Sequence, residues 1–117
     1  MKKIYICSPL SAPTHEEVKA NINRARRYCR KIALDGNLPY APHTYFTEFL
    51  IDDLQDEREI GMKMGIAWLD ECEEIHILPG FISEGMSKEI VHAVNVNIKV
   101  VAITEAEEAA WTKSAKQ

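Results

Sequence analysis

Short apolar runs alternate along this chain with longer stretches whose apolar residues recur every three or four positions. Ile4-Tyr5-Ile6-Cys7 is an unbroken run rich in β-formers, stopped by Ser8-Pro9, and predicts a strand buried on both faces. Ile75-His76-Ile77-Leu78, stopped by Pro79-Gly80, and the β-branched span 98–103 predict two more. Leu38-Pro39-Tyr40-Ala41-Pro42 is a weaker strand: its two prolines remove two ladder donors, which places it at a sheet edge.

Between these runs the period lengthens. After the cap and acidic turn Thr14-His15-Glu16-Glu17, apolar positions from Val18 to Leu34 follow helical spacing, with the basic residues late and Gly36 closing the helix. Residues 60–72 predict a second long helix, with Ile60, Met64, Ala67 and Trp68 along one side, and residues 85–96 a third. Residues 43–50 read as a short helix or loop, and the polar stretch 52–59 as a loop or exposed helix start. The charged, Ala-rich span 105–117 is a helix packed by Trp111 or a frayed tail.

Strands alternating with helices imply a parallel sheet with right-handed crossovers. The expected architecture is α/β, a flavodoxin-like three-layer sandwich with a small parallel sheet of order 2-1-3-4. One domain spans residues 1–104, followed by the tail or short helix 105–117. Ligands of such sheets bind beyond the strand C-ends, where the strand order reverses. That rule selects the Ser8-Pro9-Leu10 turn and the loop from Gly80 to Met86.

Composition narrows the partners. A net charge of −4 argues against a nucleic-acid polymer but leaves room for a small anion held by local groups. The three cysteines, Cys7, Cys29 and Cys72, are widely spaced and odd in number, which fits reduced thiols and a cytoplasmic home. Cys7 reads as a small buried hydrophobe. The apolar run after Lys2-Lys3 is too short for a signal peptide, and no run reaches the roughly 20 apolar residues of a membrane span. The four histidines lack metal-ligand spacing, so no metal is expected. No G-x-G-x-x-G, Walker loop or G-x-S-x-G occurs, and no cofactor is expected. A response-regulator reading fails because the strand ends carry Ser8-Pro9 and Pro79-Gly80 where that fold needs acidic residues.

Ser83, Gly85 and Ser87 cluster where a strand hands over to a helix. Unpaired N–H groups at such a terminus can hold a phosphate or other anion, and Gly85 permits close approach. Ser83 serves equally as a simple cap. Glu89 lies beside the helix stripe Met86, Ile90, Ala93 and Asn97, one turn above the loop. There it is either a carboxylate aimed into the crevice, able to act as nucleophile or acid/base, or a rim residue paired with Lys88 or another neighbour. Tyr5, two residues before the first turn, either meets that carboxylate or is plain core. His43 sits past the second strand on the same edge, as a ligand contact or a cap. Arg58 could reach a phosphate, although runs like Asp56-Glu57-Arg58-Glu59 are usually solvated.

Four segments together resemble the nucleoside 2-deoxyribosyltransferase-like superfamily, in particular a branch of small bacterial and phage proteins without an established activity. They are Ile4-Tyr5-Ile6-Cys7-Ser8-Pro9-Leu10, Ala41-Pro42-His43, Trp68-Leu69-Asp70-Glu71-Cys72, and the stretch from Ser83 to Ala93, whose G-x-x-x-E-x-x-x-A spacing is similar to the family's nucleophile helix. The resemblance implies that Glu89 is the nucleophile, that Tyr5 orients it, and that Ser83, Gly85 and Ser87 meet the sugar or a 5′-phosphate. Ser8, Pro9, Leu10, His43, Gly80 and Met86 complete the implied substrate-binding set. The implied activity is cleavage or transfer of the N-glycosidic bond of a nucleoside or nucleoside 5′-monophosphate, and the implied assembly is a homo-oligomer. The chain departs from the transferases at two places: Gly65 or Ile66 falls where they carry an aspartate, and Ser83 replaces the acidic residue before the nucleophile's loop. A noncatalytic nucleotide- or metabolite-binding module on the same fold is the alternative.

Overall fold

The computed structural model describes residues 1–115 of the 117. Four strands, β1 (Lys3–Cys7), β2 (Leu38–Tyr40), β3 (Glu74–Ile77) and β4 (Lys99–Ala102), form one sheet of order β2-β1-β3-β4. Every pairing is parallel, with Tyr5 flanked by Tyr40 on β2 and by Ile75 on β3. The helices are α1 (His15–Leu34), α2 (Pro42–Tyr45), α3 (Gln55–Leu69), α4 (Glu84–Asn95) and α5 (Glu105–Ala115), and one 3-10 turn, Phe46–Glu48, follows α2. The α/β architecture and its parallel sheet are those the alternation of strands and helices predicts, and the strand order is that of the expected flavodoxin-like sandwich.

The pleat of β1 sorts its residues. Ile4 and Ile6 pack with Ala25, Tyr28 and Ile32 of α1, with Trp111 of α5 against the same cluster. Tyr5 and Cys7 face the other way, into a cluster with Leu69 of α3 and Met86 and Ala93 of α4. Two apolar layers, one on each face, make the three-layer sandwich. Both Tyr5 and Cys7 have no exposed surface, and β1 is buried from Ile4 to Cys7 as its sequence requires.

Polar order on the α1 face is of a different kind. Tyr28 Oη lies 2.7 Å from His76 Nδ1, His76 Nε2 lies 2.7 Å from Glu74, and Lys2 caps Glu74 at 2.9 Å. This chain satisfies the buried polar groups of β3 away from the α3–α4 side.

Several boundaries differ from the periodic reading. The second long helix runs from Gln55 to Leu69, not over 60–72. Asp56 and Glu57 favour the positive N-terminus of α3, so residues 55–59 of the polar stretch are the exposed helix start and 52–54 the turn before it. At the other end, Asp70, Glu71 and Cys72 form turns back to Ile66, Trp68 and Leu69. Pro42 leaves β2 and occupies the first turn of α2, where its missing N–H costs nothing. At the end of α4, Asn97 takes a left-handed φ of 62°, and Ile98 N–H bonds back to Ala93. The span 105–115 is helical; the last two residues of the expected tail lie outside the described residues. No described helix is long and apolar enough to cross a membrane.

Candidate functional site

Beyond the C-terminal ends of β1 and β3, a cavity of about 200 Å³ opens between α4 and the α2–α3 segment. It lies at the reversal of strand order, where a parallel sheet leaves a crevice. The site is built outward from β1.

Glu89 projects from the second turn of α4 over the end of β1. Its Oε2 accepts a hydrogen bond from the Tyr5 hydroxyl, and its Oε1 lies 3.4 Å from the Cys7 thiol. One strand therefore supplies both donors, two residues apart on the same face. Burial raises the Glu89 carboxyl to about 7, and the two hydrogen bonds oppose that rise. Tyr5 is pushed well above the usual phenol range by burial and by the Glu89 charge, and the Cys7 thiol is pushed up for the same two reasons. Both remain donors at any physiological pH. Lys88, the neighbour that could have paired with Glu89, reaches Glu84 instead at 3.5 Å.

Gly65 on α3 completes the enclosure. A Cβ built there would lie 3.1 Å from the Tyr5 hydroxyl and 3.8 Å from Glu89 Oε2. A backbone without a side chain lets α3 close over the pair. The same glycine leaves this end of the cavity without the second carboxylate that an acidic residue would supply.

Around the carboxylate, Ser8 and Leu10 of the β1 turn line the cavity, as do Ser83, Gly85 and Met86 at the start of α4. Ser83 caps α4, accepting from the Met86 N–H at 3.2 Å. Above Gly85 the space is open: a Cβ would have only Ser83 Oγ within 4.0 Å. The Ser8 hydroxyl is buried in the wall with no hydrogen-bond partner among the described residues. His43 stands opposite, and its Nε2 lies 2.7 Å from the Ser8 carbonyl oxygen. A carbonyl only accepts, so Nε2 carries the proton. Burial lowers the His43 pKa and keeps the ring neutral, so Nδ1 is a hydrogen-bond acceptor.

Tyr5 lies beneath the cavity and reaches it through Glu89. Pro9, Gly80 and Ser87 are outside the lining. Gly80 takes a φ of 110°, so it serves the turn after β3. Ser87 is exposed on the outer side of α4.

The far wall was missed by the sequence reading apart from Arg58. Phe46, Leu50 and Met62 give it an apolar surface, and Asp52, Glu57 and Arg58 line its mouth. Once α3 starts at Gln55, residues 58, 61, 62, 65 and 66 fall on one stripe at helical spacing, all on the cavity. Among the described residues, Arg58 forms no ion pair. No group of three or more described His, Cys, Asp or Glu side chains could hold a metal ion.

Comparison with known proteins gives three results. A family model described as Domain of unknown function (DUF7768) matches residues 2–103. No curated protein matches the chain. Among solved structures, a 2-deoxyribosyltransferase from the psychrotolerant bacterium Bacillus psychrosaccharolyticus, characterised as a biocatalyst for nucleoside synthesis, superposes with a TM-score of 0.62 at 16% identity. The match covers 86% of this chain and 70% of that one. At that identity the likeness is one of fold.

Proposed function

The chain belongs to the DUF7768 family, and from that premise we propose that it acts on the N-glycosidic bond of a nucleoside or nucleoside 5′-monophosphate, with Glu89 as nucleophile. The observation that carries this reading is the partly buried carboxylate of Glu89, held by Tyr5 at the edge of a cavity lined by apolar side chains and a few polar groups. The deoxyribosyltransferase-like fold and the G-x-x-x-E-x-x-x-A helix support it.

The chemistry is a double displacement. The Glu89 carboxylate attacks the anomeric carbon, and the bond from that carbon to the base nitrogen breaks with its electron pair on the base. An ester between Glu89 and the sugar results. Water, or a second base, then attacks the same carbon and releases the carboxylate, so the configuration is retained. In hydrolysis the water supplies the hydroxyl of the sugar, and the proton it loses balances the one the departing base takes up. Tyr5 keeps its own proton and holds Glu89 in the attacking rotamer. The apolar wall of Phe46, Leu50 and Met62 suits a planar base. Ser83, the backbone at Gly85 and Arg58 offer donors for the sugar or its phosphate.

Residues 1–104 form the catalytic unit in this reading, with α5 an addition to the α1 face. A homo-oligomer is part of the proposal, supported by the exposed Tyr45, Phe49, Ile51 and Leu54 close to the cavity in sequence and structure. A cytoplasmic site of action fits the three free thiols.

The test is base release from a panel of deoxynucleosides and their 5′-monophosphates by the wild-type protein and by Glu89→Ala. Release from at least one member, lost in Glu89→Ala, is the expected result. Binding without release from any member would replace this reading with a noncatalytic module.

A further inference from the structure

Two donors hold Glu89, and they are unequal. The phenol of Tyr5 is a strong donor and takes Oε2. The Cys7 thiol is a weak one, and at 3.4 Å it leaves Oε1 only loosely engaged. Cys7 is fully buried and free of any disulfide, and its neighbour on the other side is the Met86 carbonyl at 3.9 Å.

We propose that Cys7 is a positioning residue for Glu89, whose weak thiol donor restrains Oε1 while leaving it free enough to be the attacking oxygen. The proposal rests on Glu89 being the nucleophile. A carboxylate with both oxygens tied to strong donors is a poor nucleophile, and one with a single donor can rotate about its last side-chain torsion. A thiol lies between these cases. It restrains the carboxylate plane while lowering the basicity of Oε1 less than a hydroxyl would.

The other charged or titratable groups around the cavity are His43 on α2, Asp52, Glu57 and Arg58 at the approach to α3 and in its first turn, and Glu84 and Lys88 on α4. None of these donates a hydrogen bond to Glu89. From α3, the residues nearest the carboxylate are Gly65 and Ile66, which do not titrate. Tyr40 on β2 also lies within reach of the Glu89 charge, but the hydrogen bonds that favour ionised Glu89, against the burial that raises it, come from β1.

The experiment labels the full-length protein with ¹³C at glutamate carboxyls and follows the Glu89 resonance against pH in wild type, Cys7→Ala and Cys7→Ser. Glu89→Gln identifies the signal. Loss of the thiol donor raises the Glu89 pKa by about half a unit in Cys7→Ala, and the stronger hydroxyl donor lowers it by a similar amount in Cys7→Ser. Opposite shifts in the two variants are the expected result. A Glu89 titration that coincides in all three proteins, or moves the same way in both variants, overturns the proposal. Should Cys7→Ala fail to fold, Cys7→Ser alone decides by the sign of its shift. In turnover, kcat falls in both variants with KM little changed, and the acidic limb of the pH profile follows the NMR value. Opposite NMR shifts in a protein that releases no base would uphold the thiol–carboxylate bond, reject the glycosidic reading and with it overturn the role of Cys7 in positioning a nucleophile. Base release with an unmoved Glu89 titration would do the reverse.

Discussion

The hydroxyl of Tyr5, in the middle of β1, donates to Oε2 of Glu89 in the second turn of α4, 84 residues further along the chain. The parallel sheet makes this contact possible. β1 is central and its odd-numbered side chains face α4, so a tyrosine two residues before the strand's end meets a carboxylate one turn into the helix that follows β3. If Tyr5 positions the nucleophile, Tyr5→Phe keeps the packing and removes the bond. A hydrogen bond to a charged group contributes about 1.5–3 kcal/mol, so kcat falls roughly 10- to 100-fold. Steady-state kinetics on any substrate found in the panel measures this, and thermal melting checks that the fold is retained.

In the proposed reaction Glu89 attacks only when ionised. Its carboxyl is raised to about 7, so kcat/KM rises through that pH and levels off above it. Tyr5 and Cys7 are both pushed upward, so neither contributes a falling limb near neutrality. A pH–rate profile from 5 to 9 is expected to show one ascending limb. In Tyr5→Phe that limb moves to higher pH, because a bond that favours the charged form is gone.

The same shift has a cost in stability. Glu89 titrates near 4.5 when unfolded and near 7 when folded, so between those values the folded state binds more protons. Its contribution is therefore intact below 4.5 and is lost as pH rises through 7. The Glu89→Gln variant keeps the shape and the acceptor for Tyr5 but has no charge to bury. After discounting for solvent in the cavity, it is expected to exceed wild type at pH 8 by roughly 1–3 kcal/mol. Urea unfolding at pH 8 and pH 5 measures the difference, which shrinks toward the lower pH.

Gly65 is where α3 meets the pair. An alanine there gains helix propensity of about 1 kcal/mol. Its methyl group would also lie 3.1 Å from the Tyr5 hydroxyl, which is fully buried and cannot retreat. We expect Gly65→Ala to lose at least tenfold in kcat with the fold intact, because the Tyr5–Glu89 contact is displaced by a few tenths of an ångström. The check is kinetics together with the Glu89 carboxyl resonance, which moves with its altered partner.

Arg58 sits at the cavity mouth, outside the ion pairs of the described residues. If it meets a phosphate, Arg58→Ala raises KM for nucleoside monophosphates about tenfold and leaves the matching nucleosides unchanged. Equal effects on both substrate sets would assign Arg58 to the surface.

The fold was legible because its signals were the strong ones. Unbroken apolar runs ended by Ser8-Pro9 and Pro79-Gly80 mark central strands, and Pro39 marks an edge. With the strand order given, the crevice followed from topology. The first half of α3 was left open between a loop and an exposed helix start, because Asp56-Glu57-Arg58-Glu59 has no apolar period; its acidic residues at the helix N-terminus favour the second. The far wall of the cavity was missed for that reason. Cys7 was hidden in another way: in sequence it is one more small apolar residue. Only the approach of Glu89 from α4 shows that its thiol has a partner.

The covalent step is the centre of this account, and mass spectrometry addresses it most directly. The protein is mixed with the best substrate from the panel, or a 2′-fluorinated analogue that slows the second displacement, then quenched in acid and digested. The account predicts a mass increase of one sugar residue, on the peptide containing Glu89 and on its carboxylate. Base release with no adduct there, persisting in Glu89→Ala, would contradict it.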